Sequence, residues 1–272
     1  MNRSYLMVAG DKEKHLSKLP SLKCDTAMIN LEDGVFDKAA ARDLLKQMFP
    51  DGLKCPGKKV VVRVNALDEC AAEDIKAINV LKPDAVRVPK IRTSCDVKKA
   101  LDLLDKDIEL HLSCETKEAF NNILSLKIDK RVTTLYLGIL DLMESLDLPQ
   151  KLLTPDNPAI DYILSKFLID SKCAGFYPVS FTYQDYKNTR EFTKWCKKVK
   201  MMGYTAKSAI SPAQVDLINE IFQSDVTEKE KAKYIKEVFE KNRESGLTGF
   251  VDEKYGFIDE PIYKDALLVL NS

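Results

Sequence analysis

Ile108-Glu109-Leu110-His111-Leu112-Ser113-Cys114-Glu115 and, one short helical segment later, Val132-Thr133-Thr134-Leu135-Tyr136-Leu137-Gly138-Ile139-Leu140-Asp141 decide the fold of this chain. The first stretch alternates apolar and polar residues with period two, the pattern of a strand with two different faces. The same parity carries Glu115 onto the His111 and Ser113 side, just past the strand end. The second stretch is rich in β-branched and aromatic residues, reads as another strand, and breaks at Gly138 ahead of Asp141. Two carboxylates at the same ends of neighbouring parallel strands would meet over the top of a sheet or barrel. Ionised together they repel, and a hard cation such as Mg²⁺ relieves the repulsion. The alternative is that each acid sits at a helix N-terminus and serves its dipole. This stretch alone leaves both readings open.

Working outward, strand-like runs at 5–8, 27–31, 59–65 and 84–88 precede the pair, and runs at 174–178 and 204–210 follow it. Helical segments lie between them. Residues 12–19 form one, ended by Pro20, and Asp37 is placed to cap another through Met48, with Arg42 and Lys46 along one side. Thr182-x-x-Asp185 resembles a capping box for a helix reaching Met202, and Ser211-Pro212 supplies an N-cap and a first-position proline for the next. Eight strands alternating with helices predict a (β/α)₈ TIM barrel, because each strand must bury one helix against itself. A doubly wound dinucleotide-binding sheet would want G-x-G-x-x-G after the first strand, and Val8-Ala9-Gly10-Asp11 does not supply it.

The barrel is expected to fill 1–224, with 225–272 an extension. Thr227-x-x-Glu230 reads as a capping box opening a charged helix that ends near Gly246, with Ala232, Ile235, Val238 and Phe239 as its apolar stripe. Residues 249–258 have hairpin character, and Glu260-Pro261 starts a last helix. Barrel closure needs none of this, so the extension reads as a lid, an oligomer contact, or both.

The 272 residues carry 42 Lys+Arg and 42 Asp+Glu, a net charge of zero that gives no pull toward nucleic acid or an anionic membrane. No apolar run approaches the roughly 20 residues that span a bilayer, and no leader is expected at the N-terminus. Seven scattered cysteines without a C-x-x-C pair fit reduced thiols in the cytoplasm. With only His15 and His111, a multi-histidine zinc site is excluded and a Ser-His-Asp or Cys-His triad has little to work with. Cys114 reads as a small buried residue.

In such a barrel the chemistry sits at the C-terminal ends of the strands. Those ends supply Gly10, Glu32 and Asp33, Arg63 and Asn65, Lys90, Glu115, Asp141, Pro178 and Ser211. Arg63, set in the run Val60-Val61-Val62-Arg63-Val64, is costly to bury without an anion. It is either a structural ion pair with Glu32 or Asp33, or a clamp for a carboxylate or enolate. Lys90 reads as a solvated loop lysine.

Successive motifs now carry a resemblance: Arg3-Ser4-Tyr5-Leu6-Met7-Val8-Ala9-Gly10, Leu31-Glu32-Asp33-Gly34-Val35, Val62-Arg63-Val64-Asn65, Pro89-Lys90, Glu115-Thr116, Gly138-x-x-Asp141-Leu142 and Ile258-Asp259-x-Pro261. In this order they resemble the HpcH/HpaI aldolase and citrate lyase beta-subunit family over essentially the whole chain. The last motif points to the branch acting on acyl thioesters, with citrate lyase beta, malyl-CoA and citramalyl-CoA lyases. The resemblance implies a Mg²⁺-dependent carbon–carbon lyase assembled as a homotrimer or homohexamer, taking an acyl-CoA or acyl-carrier-protein thioester and a 2-keto acid. It implies Glu115 and Asp141 as metal ligands, with Gly138 and Leu140 of the same loop against substrate. Arg63 would bind the enolate or keto-acid oxygen, and Asp33 would support Arg63 or a metal-bound water. Asp259 would be the acid/base, reaching into a neighbouring subunit's site, and Lys12 and Lys14 would meet the phosphates of the thioester's carrier. Departures from the family pattern fall at Ala9, where the family has proline, at Lys117-Glu118-Ala119, at Ala174 and at Ser211. They leave two further readings: a metal-dependent aldolase on free keto acids, and a catalytically idle paralogue.

Overall fold

The computed structural model describes residues 2–223 and 225–270, and the chain divides into two compact units, Asn2–Ile221 and the remainder from Phe222. The boundary expected at 224/225 involves Ser224, which lies outside the described residues. In the larger unit eight parallel strands run β1 (Ser4–Ala9), β2 (Thr26–Asn30), β3 (Lys59–Arg63), β4 (Ala85–Val88), β5 (Glu109–Cys114), β6 (Val132–Leu137), β7 (Tyr177–Val179) and β8 (Lys207–Ala209). Their spatial order is β7-β6-β5-β4-β3-β2-β1-β8, and the Ser180–Lys207 bridge draws the two ends together. Ser180 N donates to Ala206 O at 3.0 Å and Ser208 N to Ser180 O at 3.1 Å. This is the expected (β/α)₈ barrel, nearly closed.

The period-two pattern of β5 is realised. Leu110 and Leu112 are buried, while inside the barrel His111 bonds Glu109 and Tyr136, and Ser113 accepts from Arg87. Tyr5, Met28, Val61, Ala85, Tyr136, Val179 and Ala206 form the apolar part of that interior. His111 lies 3.0 Å from the Tyr136 hydroxyl and 3.3 Å from Glu109 Oε2. Burial holds the imidazole below its usual range, and the His111 hydrogen bond, with those from Thr133 and Lys59, draws Glu109 down to about 2. His111 therefore belongs to the barrel's packing.

The connecting helices are α1 (Glu13–Leu16), α2 (Lys38–Met48), α3 (Ala71–Asn79), α4 (Ser94–Leu103), α5 (Lys117–Asn121), α6 (Ile139–Ser145), α7 (Pro158–Ala174), α8 (Thr189–Met201) and α9 (Pro212–Ile221). Asp37 caps α2 as expected, accepting from Ala40 N at 2.9 Å, and Ser211 accepts from Gln214 N at 3.3 Å at the head of α9. The helix expected over 12–19 shortens to Glu13–Leu16, and other expectations fail. Thr182-x-x-Asp185 does not cap α8; Asn188 does, and the preceding loop closes in short turns, with Thr182 and Gln184 lining the cavity described below. The seventh strand begins at Tyr177, because Ala174 ends α7 and Gly175 terminates it at φ +80°. Ala9, Ala174 and Ser211 thus each sit at the end of an element or cap one.

Lys207 opens β8 and is fully buried, its Nζ donating to Phe181 O at 2.7 Å and lying 3.8 Å from the Phe181 ring centroid. Burial pushes the ammonium down to about 8. Between that value and the usual 10.5 the unfolded chain binds more protons than the folded one, so stability rises with pH across this window. Urea unfolding of the parent and of Lys207→Met at pH 8, 9 and 10 should therefore show the parent gaining about 2 kcal/mol relative to the variant. A constant difference would mean that the lysine is not held at low affinity for its proton.

The C-terminal unit pairs α10 (Val226–Glu244) with a hairpin, β9 (Gly249–Asp252) and β10 (Gly256–Asp259), and with α11 (Glu260–Leu270). Asp225 caps α10, and the Thr227 hydroxyl bonds to it, so the expected Thr227 cap shifts by two residues. Ala232, Ile235, Phe239, Ile258 and Ala266 form the core, with Phe239 stacked on Tyr263 at 4.5 Å. The expected stripe is present except that Val238 is only half-buried. Asp259 ends the hairpin and accepts from Ile262 N at 3.2 Å, a helix-capping contact.

Candidate active site

Residues on or just past all eight strands build a polar cavity of about 390 Å³ at the C-terminal mouth of the barrel. Arg63 is the last residue of β3, and its Nη2 contacts Glu32 Oε2, while Asp33 Oδ2 stands 3.9 Å away. Glu32 is 2% exposed and Asp33 73%. The buried member of the Leu-Glu-Asp motif is therefore the one paired with Arg63. Burial pushes the Glu32 carboxyl up to about 7, against the pull of Arg63 and with the help of Glu115 and Asp33. The β2 turn is fixed from within: Asn30 Nδ2 donates to Asp33 O at 2.6 Å and Lys38 Nζ to Glu32 O at 2.6 Å. Asn65 turns away from the cavity, bonding Leu31 O and Asp74, which in turn holds Arg42 at 2.7 Å.

Glu115 follows β5 and is 2% exposed. One carboxylate oxygen accepts from the backbone N of Lys90 at 2.6 Å. Lys90 adopts φ +52°, a costly conformation for a residue with a side chain, while its ammonium stays in solvent near Glu69 at 3.6 Å. The strand-four loop thus serves the site through its backbone, and its ammonium adds a field felt by Glu32, Asp33 and Glu115. Burial raises the Glu115 pKa, Arg63 and Arg87 pull it down, and Asp141 pushes it up again. Asp141 lies in the first turn of α6, exposed, and lines the same cavity as Gly138, Leu140 and Glu115.

Gly138 is required by the carboxylate itself. A Cβ there would lie 2.6 Å from Glu115 Oε2 and 2.7 Å from Glu115 Cβ. Gly138→Ala should push the Glu115 side chain aside and weaken divalent-cation binding by about tenfold or more, a cost of at least ~1.4 kcal/mol. Calorimetric titration with Mg²⁺ reads this; unchanged affinity would show that Glu115 does not approach the cation.

Among the described residues no three His, Cys, Asp or Glu side chains converge to hold a metal. The two carboxylates Glu115 and Asp141, with oxygen donors only, suit Mg²⁺, which keeps several waters and takes one or two carboxylates plus substrate oxygens. Zinc, which prefers nitrogen and sulfur, is poorly served. Arg87, Met7, Thr182, Gln184 and Ile210 also line the cavity, and none carried a motif that singled it out. A second, largely apolar cavity of about 430 Å³ shares Met7, Asn30, Asp33 and Ile210 with the first. Lys12 and Lys14 are exposed and Lys12 pairs with Asp11 at 2.9 Å; the first-loop residues His15 and Lys18 line the second cavity. Asp259 belongs to the C-terminal unit.

A family model described as HpcH/HpaI aldolase/citrate lyase matches residues 3–212. A (3S)-malyl-CoA thioesterase from Cereibacter sphaeroides is 30% identical over 85% of this chain and 80% of its own length. The citrate lyase subunit beta of Escherichia coli K12 is 26% identical, covering 99% of this chain and 92% of its own. Among solved structures, the protein CitE from Mycobacterium tuberculosis in complex with magnesium, acetoacetate and coenzyme A superposes with a TM-score of 0.77 at 19% identity, over 100% of this chain and 98% of that one.

Proposed function

The chain belongs to the HpcH/HpaI aldolase/citrate lyase family, and from that premise we propose that it is a Mg²⁺-dependent carbon–carbon lyase. Its substrate is a 3-hydroxyacyl thioester of the citryl, malyl or citramalyl type, split to an acyl thioester enolate and a 2-keto acid, or formed from them. One observation carries the reading: a buried carboxylate fixed by a strained backbone N–H stands in the same cavity as a guanidinium already held by Glu32.

In this reading Glu115 and Asp141 hold the cation. When bound, it supplies charge stabilisation to the keto acid as the bond breaks, worth several kcal/mol. Arg63 presents its fork to the enolate or keto-acid oxygen, and Glu32, rather than Asp33, keeps that fork in place. Gly138 and Leu140 wall the substrate on the Asp141 side. Asp259 protonates the acyl carbanion from a neighbouring subunit of a homotrimer or homohexamer. The adjoining apolar cavity suits the acyl and thioester arm of a coenzyme A or acyl-carrier-protein substrate, with His15 and Lys18 in the role the sequence suggested for Lys12 and Lys14. A cytoplasmic setting fits seven cysteines that are all free; among the described residues no helix is long and apolar enough to cross a membrane.

A second reading, hydrolysis of the thioester, is favoured by the name of the 30%-identical relative. Incubation of malyl-, citramalyl- and citryl-CoA with the protein and Mg²⁺ separates the two. The lyase reading expects chelator-sensitive release of a 2-keto acid with the thioester intact. Free coenzyme A without keto acid would favour hydrolysis, and neither product would favour an idle paralogue.

A further inference from the structure

Of the two arginines lining the cavity, Arg87 is the one that makes no direct ion pair among the described residues. It lies in β4 with Arg63 as its Cα partner across the strand pair, so two guanidinium groups enter the barrel mouth at one level. Arg63 is matched by Glu32. Arg87 is 5% exposed, and among the described residues it makes no ion pair within 4.0 Å. Its Nε donates to Ser113 Oγ at 2.8 Å, its Nη1 reaches Met28 Sδ at 3.2 Å, and its Cζ lies 4.2 Å over the Tyr136 ring. These are neutral partners, and they use two of the five N–H donors a guanidinium carries. Burial, the largest effect, and the neighbouring Arg63 hold the group down at about 10, against the opposing pull of Glu115, Tyr136 and Glu32, so it stays charged at neutral pH.

Glu115 and Glu32 act on Arg87 only from beyond ion-pair distance, and a buried cation without a directly bonded anion is costly unless one completes it. The π face of Tyr136 and the hydroxyl of Ser113 orient the guanidinium but do not neutralise it. The exposure it keeps is to the cavity it lines with Glu115 and Asp141. We propose that Arg87 is a specificity-determining residue that receives a second carboxylate of the substrate, so that the site takes 2-keto dicarboxylates in preference to 2-keto monocarboxylates. This rests on the keto-acid reading of the cavity and adds to it the identity of the group at its floor. Arg63 and the cation would serve the 2-keto acid head common to both classes, and Arg87 would serve the carboxylate that only one class possesses.

Oxaloacetate and pyruvate make the comparison, since they share the 2-keto acid head and differ by one carboxylate. Their affinities are measured by thermal shift and by competition, with Mg²⁺ present, for the parent, Arg87→Met and Arg87→Lys. The parent should bind oxaloacetate at least about tenfold more tightly than pyruvate, the scale of one charge-assisted hydrogen-bonded pair. Arg87→Met should lose that difference with pyruvate affinity unchanged, and Arg87→Lys, which keeps the charge without the fork, should fall between. Binding of neither acid by the parent would overturn the keto-acid reading and the subsite with it. Equal affinity of the parent for the two acids would overturn the subsite alone, whatever the folding of the variants. A preference that survives Arg87→Met would do the same.

Discussion

Replacing Asp141 by alanine is expected to abolish Mg²⁺ binding while leaving the fold standing. With two protein carboxylates at the site, losing one leaves a hard cation a single charged ligand among waters, and Mg²⁺ gives up its own water shell reluctantly. The structural cost of the change is small, because Asp141 is exposed in the first turn of α6 and, among the described residues, its side chain makes no hydrogen bond or ion pair beyond its favourable place at the helix N-terminus. That place is worth about 0.3–1 kcal/mol. Glu115 would be a poorer test. It is buried, accepts from Lys90 N and fills the space left by Gly138, so its removal disturbs packing and ligation together. Calorimetry should show no Mg²⁺ heat in Asp141→Ala, with a melting temperature close to that of the parent without metal. Undiminished affinity would return both acids to the helix-dipole role.

Asp259→Ala is expected to lose about 10²–10⁴-fold in turnover, the contribution of a placed proton donor. Its visible contact is the cap on α11 through Ile262 N at 3.2 Å. A cap alone costs roughly 0.5–2 kcal/mol of stability on substitution and leaves chemistry almost untouched. The size of the loss in rate therefore distinguishes the two roles. An aldolase on free keto acids would use Glu115 and Asp141 and keep its rate in this variant. Mixing inactive Asp259→Ala with inactive Asp141→Ala subunits, after dissociation and reassembly, should restore activity, because some interfaces then join an intact metal site to an intact tail. Mixed oligomers without activity would place the tail's carboxylate outside the neighbour's site.

Much of the barrel was legible because its signals are local. Period-two alternation in β5, the β-branched run of β6 and Asp37 ahead of α2 each act over a few residues, and each appears where the pattern put it. The strand ends carrying Glu32, Arg63, Glu115 and Asp141 were legible for the same reason. What failed depended on packing. Thr182-x-x-Asp185 has the composition of a cap, yet Asn188 caps α8 and the loop before it joins the cavity wall. Tyr204 lies in the run expected as strand eight, but its hydroxyl donates to Leu164 O at 2.7 Å and its ring stacks with Phe167, so β8 starts only at Lys207. Within Leu-Glu-Asp, composition does not say which acid turns inward; the turn held by Asn30 and Lys38 decides it for Glu32. Arg87, alternating between valines, had the same inward parity as His111 and was readable on that ground. It carried no recognisable motif, and its significance lies in a missing partner, which only the packed barrel reveals.

Solvent deuterium in the product tests carbon–carbon cleavage most directly. Lyase cleavage passes through an acyl enolate that must take one proton from the enzyme before release, and in D₂O that proton is a deuteron. Citryl-CoA turned over with Mg²⁺ in D₂O should yield an acetyl thioester carrying one deuterium in its methyl group, read by mass spectrometry, alongside an equivalent of oxaloacetate. Citrate and free coenzyme A with no deuterium at carbon would contradict the account, because hydrolysis of the thioester leaves every carbon–carbon bond intact.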